Sequence, residues 1–406
     1  MNSGLIDISR LENALVAIHD TIVGGVTFPI GIEDGGTGVT TEEDLRKLVI
    51  GFPDPIVYGR YEDIIIRGNS PSAVVAIGYD AMLKYNPETR PTGSTAIGTY
   101  AMGQGSTSTT IENTIAIGYN AFGSCGVGNE RGCRDSVAVG TAAGSISSGI
   151  QNIFIGSHCG SSGVHGSDNV YIGYNIGTEM HIGTNENRDS ILIGSKIGTV
   201  GQGGILFSRS IVIGSKSGVG SLSKQKTFRN NVVIGYQADV TGENQFQLGN
   251  SNNTVYAYGS VQDRSDERDK ANIRDIEYPY KEFILGLRPV TFQWDYREDY
   301  MRDKDGTSEP VVAHINDIVR DGSHIRSRRH NGFIAQEVKE LMDSLGFDFA
   351  GYQDHSVNGG DDVLSLGYSE FIAPMVKMIQ EQQKTISTLE EKVDQLTMII
   401  KQIQEK

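Results

Sequence analysis

Ser190-Ile191-Leu192-Ile193-Gly194-Ser195-Lys196-Ile197-Gly198 decides the fold. Its first residues alternate with the two-residue period of a strand, which puts Ile191 and Ile193 on one face. A glycine interrupts the strand, an apolar residue stands three positions further on, and a second glycine follows. The same unit recurs as Ala76-Ile77-Gly78, Ala96-Ile97-Gly98, Ala116-Ile117-Gly118, Ala138-Val139-Gly140, Phe154-Ile155-Gly156, Tyr171-Ile172-Gly173, Val212-Ile213-Gly214 and Val233-Ile234-Gly235. Gln247-Leu248-Gly249 is a degenerate last copy, and successive glycines stand 14 to 22 residues apart. Ile153 with Ile155 and Ile211 with Ile213 repeat the one-face pattern. Ala81, Ala101, Ala121, Ala143, Ile176 and Ala238 repeat the small or apolar position, and Gly144, Gly160, Gly177 and Gly218 the second glycine. Each copy reads as a short strand, a glycine turn, a second short piece and a polar connection. One such unit cannot bury its own apolar face, so the copies must stack or several chains must wind together.

The repeats resemble the Ala-Ile-Gly head repeats of trimeric bacterial adhesins and phage fibres over roughly residues 71–250. The resemblance implies a trimeric left-handed β-roll or β-helix with the Ile side chains inside. The connections at 83–93, 103–113, 123–135, 178–189 and 219–229 are polar and vary in length. They are either recognition loops or solvated turns.

The glycine excess is local. Of 51 glycines, nine lie from Ser265 onward and 42 before it. There is no strict three-residue period, which excludes collagen. A net charge of −15 argues against nucleic acid as the main partner. The one basic run, Arg326-Ser327-Arg328-Arg329-His330, reads as a solvated loop. Cys125, Cys133 and Cys159 do not form a disulfide framework in a chain of 406 residues and fit assembly in a reducing cytoplasm. A bridge or metal site at Cys125 and Cys133 stays open, with no further Cys/His spacing to support a metal. No cofactor is expected. The N-terminus lacks a signal-peptide pattern, and no stretch approaches the length of a membrane span, so membrane insertion is not expected.

Leu11, Ala14, Leu15, Ile18 and Ile22 predict an amphipathic helix over 9–21. Gly35-Gly36-Thr37-Gly38-Val39-Thr40-Thr41 precedes a second short helix that Thr40 or Thr41 would cap. A phosphate-binding reading is weak, because no Gly-Lys-Ser/Thr follows. The string resembles a segment common in phage tail-fibre proteins, which implies attachment to a tail or baseplate protein.

From Ser265 the composition becomes that of an ordinary mixed domain. The run 283–294 predicts a helix end and then a strand carrying Trp294. The run 332–338 leads into a helix ending near Gly346, and 364–371 leads into the last helix. In that helix Ile372, Ile379, Ile386, Val393 and Ile400 form one heptad line, and Met375, Gln382, Leu389, Leu396 and Ile403 the other. The pattern predicts a coiled coil, with Gln382 fixing register.

Ser265-Asp266-Glu267-Arg268-Asp269-Lys270 sits at the composition boundary. A neutral lysine can take the proton of an attacking serine. In water a lysine titrates at about 10.4, and burial lowers that value. Five residues is too long a step for pairing along a straight helix, so a turn must bring the two groups together. Arg268 could stabilise an oxyanion or hold Asp266. Spacing alone leaves an ordinary surface cluster as the stronger reading.

The hexapeptide is followed by Asn272-Ile273, by Leu287-Arg288-Pro289-Val290-Thr291-Phe292-Gln293-Trp294, by Gly332-Phe333-Ile334-Ala335-Gln336-Glu337 and by the heptad helix. In this order these motifs resemble the C-terminal intramolecular chaperone autoprocessing domain of phage tail fibres and endosialidases. The resemblance implies that the domain trimerises, guides folding and cuts the Arg264–Ser265 bond. Ser265 would be the nucleophile, Lys270 the base and Arg268 an auxiliary group. Asp269 falls on a variable position. A structural role is favoured for Gln336 and Glu337.

The expected architecture is therefore mainly β. A trimeric β-helix or β-roll of about ten Ile-Gly repeats would be followed by a small α+β chaperone domain and a coiled coil. Its expected parts are an attachment segment at 1–50, a connector at 51–70, the repeat fibre at 71–264, the chaperone peptidase at 265–371 and the coiled coil at 372–406. The expected product is a homotrimeric virion fibre, assembled in host cytoplasm, that binds a host-surface polysaccharide or protein receptor. A tailspike that degrades polysaccharide would need paired inward carboxylates. The strand positions here carry Ile, Val, Ala and Ser instead. A cellular trimeric adhesin is the third possibility, disfavoured by the lack of a signal and an anchor.

Overall fold

The computed structural model describes residues 56–57, 64–67, 74–82, 92–103, 111–125, 132–161, 166–178, 188–198, 206–217, 227–300, 315, 318–358 and 360–405. The helix expected at 9–21, the Gly35–Thr41 string, the helix after it and most of the polar connections lie outside them. The chain forms two compact units, 1–199 and 200–406.

In the first unit, β1 (Ile56–Val57), β2 (Ile64–Arg67) and β3 (Val74–Ile77) pair antiparallel. From β3 onward the pairing is parallel. It runs through β4 (Ser94–Ile97), β6 (Ile115–Ile117), β8 (Val137–Val139), β10 (Ile153–Ile155), β11 (Val170–Tyr174) and β12 (Ile191–Ser195). A second narrow sheet joins β5 (Ile111–Glu112), β7 (Cys133–Arg134) and β9 (Gly149–Ile150). Equivalent residues of successive copies are opposite one another, as Ala96 is to Ala116 and Ala116 to Ala138. This is a β-solenoid in which each repeat is one coil.

The glycine of each Ile-Gly pair turns the corner. Gly98 has φ +127°, and a Cβ there would lie 2.6 Å from the carbonyl oxygen of Gly118 in the next coil. A side chain is excluded both by backbone conformation and by close approach. The corner is held by Gly118 N–H donating to Ile97 O at 2.7 Å and Gly140 N–H to Ile117 O at 2.8 Å.

The inside of the coils corrects the expectation that the Ile side chains are internal. The middle residue of each triplet is buried: Ala76, Ala96, Ala116, Ala138, Phe154, Tyr171 and Leu192. The flanking residues point out, and Ile115, Ile117, Ile153, Ile155 and Ile191 are each 37–39% exposed. The cause lies two residues before the middle one. Ser94, Thr114, Ser136, Asn152, Asn169 and Ser190 share its face and are buried as a polar column. Each needs a partner inside. Ser136 Oγ accepts from Asn152 N–H at 3.1 Å, Asn152 Oδ1 from Asn169 N–H at 3.1 Å, and Asn169 Oδ1 from Ser190 N–H at 3.2 Å.

Interior volume is shared between neighbouring coils: where both positions are small, at Ala138 and Gly144, Phe122 and Phe154 of the flanking coils fill the space. Where the middle residue is Ala116, Phe122 at φ +47° fills the interior; where it is Phe154, the corresponding residue is Gly160 at φ +65°. Phe122, Phe154 and Tyr171 stack edge to face at centroid distances of 5.9 and 5.4 Å. A disulfide joins Cys125 to Cys133, with Cα atoms 6.1 Å apart, while Cys159 is free and buried. The alternative left open by the sequence thus resolves as a bridge. The turn after Phe122 brings the chain back beside β7. Burial pushes the Cys159 thiol up to about 11.

In the second unit β14 (Ile211–Ser215), β16 (Val232–Ile234) and β17 (Phe246–Leu248) continue the parallel pattern, and β13 (Leu206–Ser208) pairs with β15 (Thr227–Arg229). Val212 and Val233 are buried, while Ile211, Ile213 and Ile234 are exposed. A small α+β region follows. It comprises α1 (Tyr280–Gly286), the antiparallel pair β18 (Val290–Gln293) and β19 (Arg329–Gly332), α2 (Ala335–Leu345), and the antiparallel pair β20 (Tyr352–Asp354) and β21 (Leu364–Leu366). The chain ends in α3 (Ile372–Gln404), a helix of 33 residues. Phe283, Val338, Met342, Phe349 and Phe371 form the core of this region. Gly346, at φ +71°, ends α2 at the expected place. Arg329 and His330 lie in β19 rather than in the expected solvated loop. No helix among the described residues is long and apolar enough to cross a membrane.

Phe154→Ala is expected to cost about 3–5 kcal/mol, because Phe122 and Tyr171 cannot close the cavity. Gly118→Ala is expected to cost about 1–3 kcal/mol from the corner conformation alone. Urea unfolding followed by circular dichroism checks both; an unchanged midpoint for Phe154→Ala contradicts the stacked core.

Candidate active site

Asp266 starts a short 3-10 turn over Glu267–Asp269 by accepting from Arg268 N–H at 2.9 Å. Asp269 N–H donates to Asp266 O and Lys270 N–H to Glu267 O, at 3.1 and 3.0 Å. The turn folds the chain back so that Lys270 Nζ donates to Ser265 Oγ at 2.7 Å. A straight helix would not bring residues five apart into this contact. The structure thus joins the two groups that the sequence singled out.

Arg268 turns to Asp266. Its Nε and Nη2 reach the carboxylate at 3.0 and 2.5 Å, a two-pronged contact. The Arg268 guanidinium and backbone hold Asp266 below the usual carboxylate range, and Asp266 raises Arg268 in turn. In this arrangement Arg268 braces the turn. Of the two roles open to it, holding a carboxylate is the one observed.

Arg264 Nε donates to Asp269 Oδ2 at 2.6 Å. The residue before Ser265 is therefore held by the residue before Lys270. This second five-residue step runs parallel to the first, and sequence reading missed it by treating Asp269 as a variable position. The signal was the offset itself, since 264–269 and 265–270 have equal spacing. All four side chains of the two pairs are exposed.

Glu337 engages Arg288. It pairs with Arg288 Nε at 3.0 Å and so ties the Leu287–Pro289 stretch to the first turn of α2. Arg288 lowers the Glu337 carboxyl and is itself raised. Gln336 is exposed. Among the described residues no group of His, Cys, Asp and Glu could hold a metal ion.

The α+β region grips the last coil at two places. Ser251 Oγ donates to Asp299 Oδ1 at 2.7 Å, and Arg326 Nη2 reaches Asp299 Oδ2 at 2.5 Å. His355 Nδ1 lies 2.6 Å from Thr241 Oγ1 and 3.2 Å from Gln245 Nε2, and its Nε2 lies 3.0 Å from Ser365 Oγ. Asp361 N–H donates to Thr241 O at 2.6 Å. Burial holds His355 below its ordinary value of 6.5, against the opposing pull of Asp354 and Asp361.

A family model described as chaperone of endosialidase matches residues 265–347, so the match begins at Ser265. Residues 265–347, which follow the β-solenoid, are thus similar to that chaperone domain. No curated protein matches this chain.

His355 is favoured neutral in the folded state, so its contribution is present above pH 6.5 and is lost as pH falls through and below that value. His355→Gln should flatten that part of the stability profile. Unfolding midpoints of both proteins from pH 7.5 to 5 check this, and parallel profiles contradict it.

Proposed function

We propose that this chain is a bacteriophage tail-fibre subunit that assembles as a homotrimer for attachment to a host surface. Its C-terminal domain templates folding and then cuts the Arg264–Ser265 bond. The observation that carries the reading is the 2.7 Å contact between Ser265 Oγ and Lys270 Nζ at the first residue of the matched domain.

In the proposed chemistry the Ser265 hydroxyl adds to the Arg264 carbonyl carbon and gives its proton to the neutral Lys270 amine. The C–N bond between Arg264 and Ser265 breaks as Lys270 passes that proton to the departing Ser265 nitrogen. Water then hydrolyses the ester left on Ser265 Oγ, freeing a carboxylate at Arg264 and restoring the hydroxyl. The Arg264–Asp269 pair positions the carbonyl, and Arg268 braces the turn through Asp266.

Lys270 is exposed in the single chain, whereas a basic amine needs water excluded. Neighbouring copies would supply that exclusion, so cutting would follow assembly. Two apolar surfaces fit such neighbours. One is the outward Ile and Val columns of the coils. The other is the heptad line of α3, where Ile372, Ile379, Ile386, Val393 and Ile400 are all exposed. The N-terminal segment would attach to a tail or baseplate protein, and the coil connections or the tip would meet a polysaccharide or protein receptor.

Ser265→Ala and Lys270→Met are each expected to leave a single full-length band on a denaturing gel, where the wild type gives fragments ending at Arg264 and starting at Ser265. Fragments of those masses from Ser265→Ala would sink the reading. Ile379→Asp with Ile386→Asp, on the heptad line of α3, should also slow fragment formation by at least about tenfold, since α3 would no longer hold copies together. An unchanged rate would separate cutting from assembly.

A further inference from the structure

Thr254-Val255-Tyr256-Ala257-Tyr258-Gly259-Ser260-Val261-Gln262-Asp263 lies between the last coil and the Ser265 turn. Its composition is that of a strand, with Thr, Val and Tyr prominent. Its pattern is also that of a strand. Val255, Ala257, Gly259 and Val261 fall on one face, and Tyr256, Tyr258, Ser260 and Gln262 on the other. Yet the segment belongs to no strand, and its backbone makes no hydrogen bond with the described residues. Its apolar side chains are open to water: Val255 is 63% exposed, Tyr256 91%, Tyr258 115% and Val261 86%. A ten-residue run of high strand propensity with unused donors and acceptors is a pairing template.

We propose that residues 254–263 pair in parallel and in register with the same segment of other copies of this chain, forming an inter-chain β clasp. The proposal rests on the self-association put forward above. Three features select a second copy as the partner. The segment follows directly on coils whose outward Ile and Val columns face the same way in every copy. It precedes a domain whose heptad helix would hold the copies at a common height. The face of Val255, Ala257, Gly259 and Val261 is narrow, which lets identical backbones approach a shared axis, while the tyrosines have room outside. In-register pairing sets each small residue against itself and places no like charges together before Asp263.

The clasp would lie on the fibre side of the Arg264–Ser265 bond. When the chaperone and its helix leave, it would remain as the terminal clamp of the product. It would replace a separable coiled coil by backbone hydrogen bonds that belong to the fibre.

Amide hydrogen exchange on full-length Ser265→Ala, with sedimentation mass measured on the same sample, tests the clasp. The amides of 254–263 should exchange at least about 100-fold more slowly than an unstructured peptide. Val261→Cys should give an inter-chain disulfide under mild oxidation, seen on a non-reducing gel, whereas Gln262→Cys, on the outward face, should not. An oligomer whose 254–263 amides exchange at the unstructured rate overturns the clasp alone. A monomer overturns the self-association reading and the clasp with it.

Discussion

The stacking of one coil on the next through the glycine corner is the constraint on which everything else depends. The backbone approach of Gly98 to Gly118 leaves no room for a side chain and locks each triplet in line with its neighbour. Once the triplets are in line, parity decides the rest. The polar residue and the middle residue go in, and the flanking Ile or Val residues go out. Backbone and side-chain hydrogen bonds link the polar residues inside, as between Ser136, Asn152 and Asn169. The outside is left with two columns of β-branched carbon that are partly exposed among the described residues.

That same regularity is a hazard during folding. Near-identical coils accept one another's partners, so a slip by one repeat costs little until distant contacts report it. Non-local pairing is also slow. A domain that aligns chain ends and then leaves is a physical answer to both problems. In the proposed sequence of events the alignment comes from α3, and the removal comes from the Ser265 turn. The product would then persist because unwinding is slow, with no template left to help it re-equilibrate.

Much of this was legible in the residues. The Ile-Gly spacing gave the coils, the heptads gave α3, and the motif at 265–270 gave the contact between Ser265 and Lys270. The face of the strands was misread because apolar size was weighed above parity. Ser136, Asn152 and Asn169 stand two residues before each middle position, and their burial forces Ile153 and Ile155 outward. The partnership of Arg264 with Asp269 was hidden because it exists only once the 3-10 turn is formed. The swap of Phe122 for Gly160 was hidden for a similar reason. It depends on aromatic rings being shared between stacked coils, and it demands a left-handed backbone from a phenylalanine.

In the proposed reading the outward columns and the open heptad line meet copies of the same chain, and cutting at the exposed dyad is the last step of their assembly. Sedimentation equilibrium of full-length Ser265→Ala measures this most directly. The account predicts a single species at three times the chain mass of 44.0 kDa, which is about 132 kDa. A species at 44.0 kDa that stays folded at micromolar concentration would contradict it.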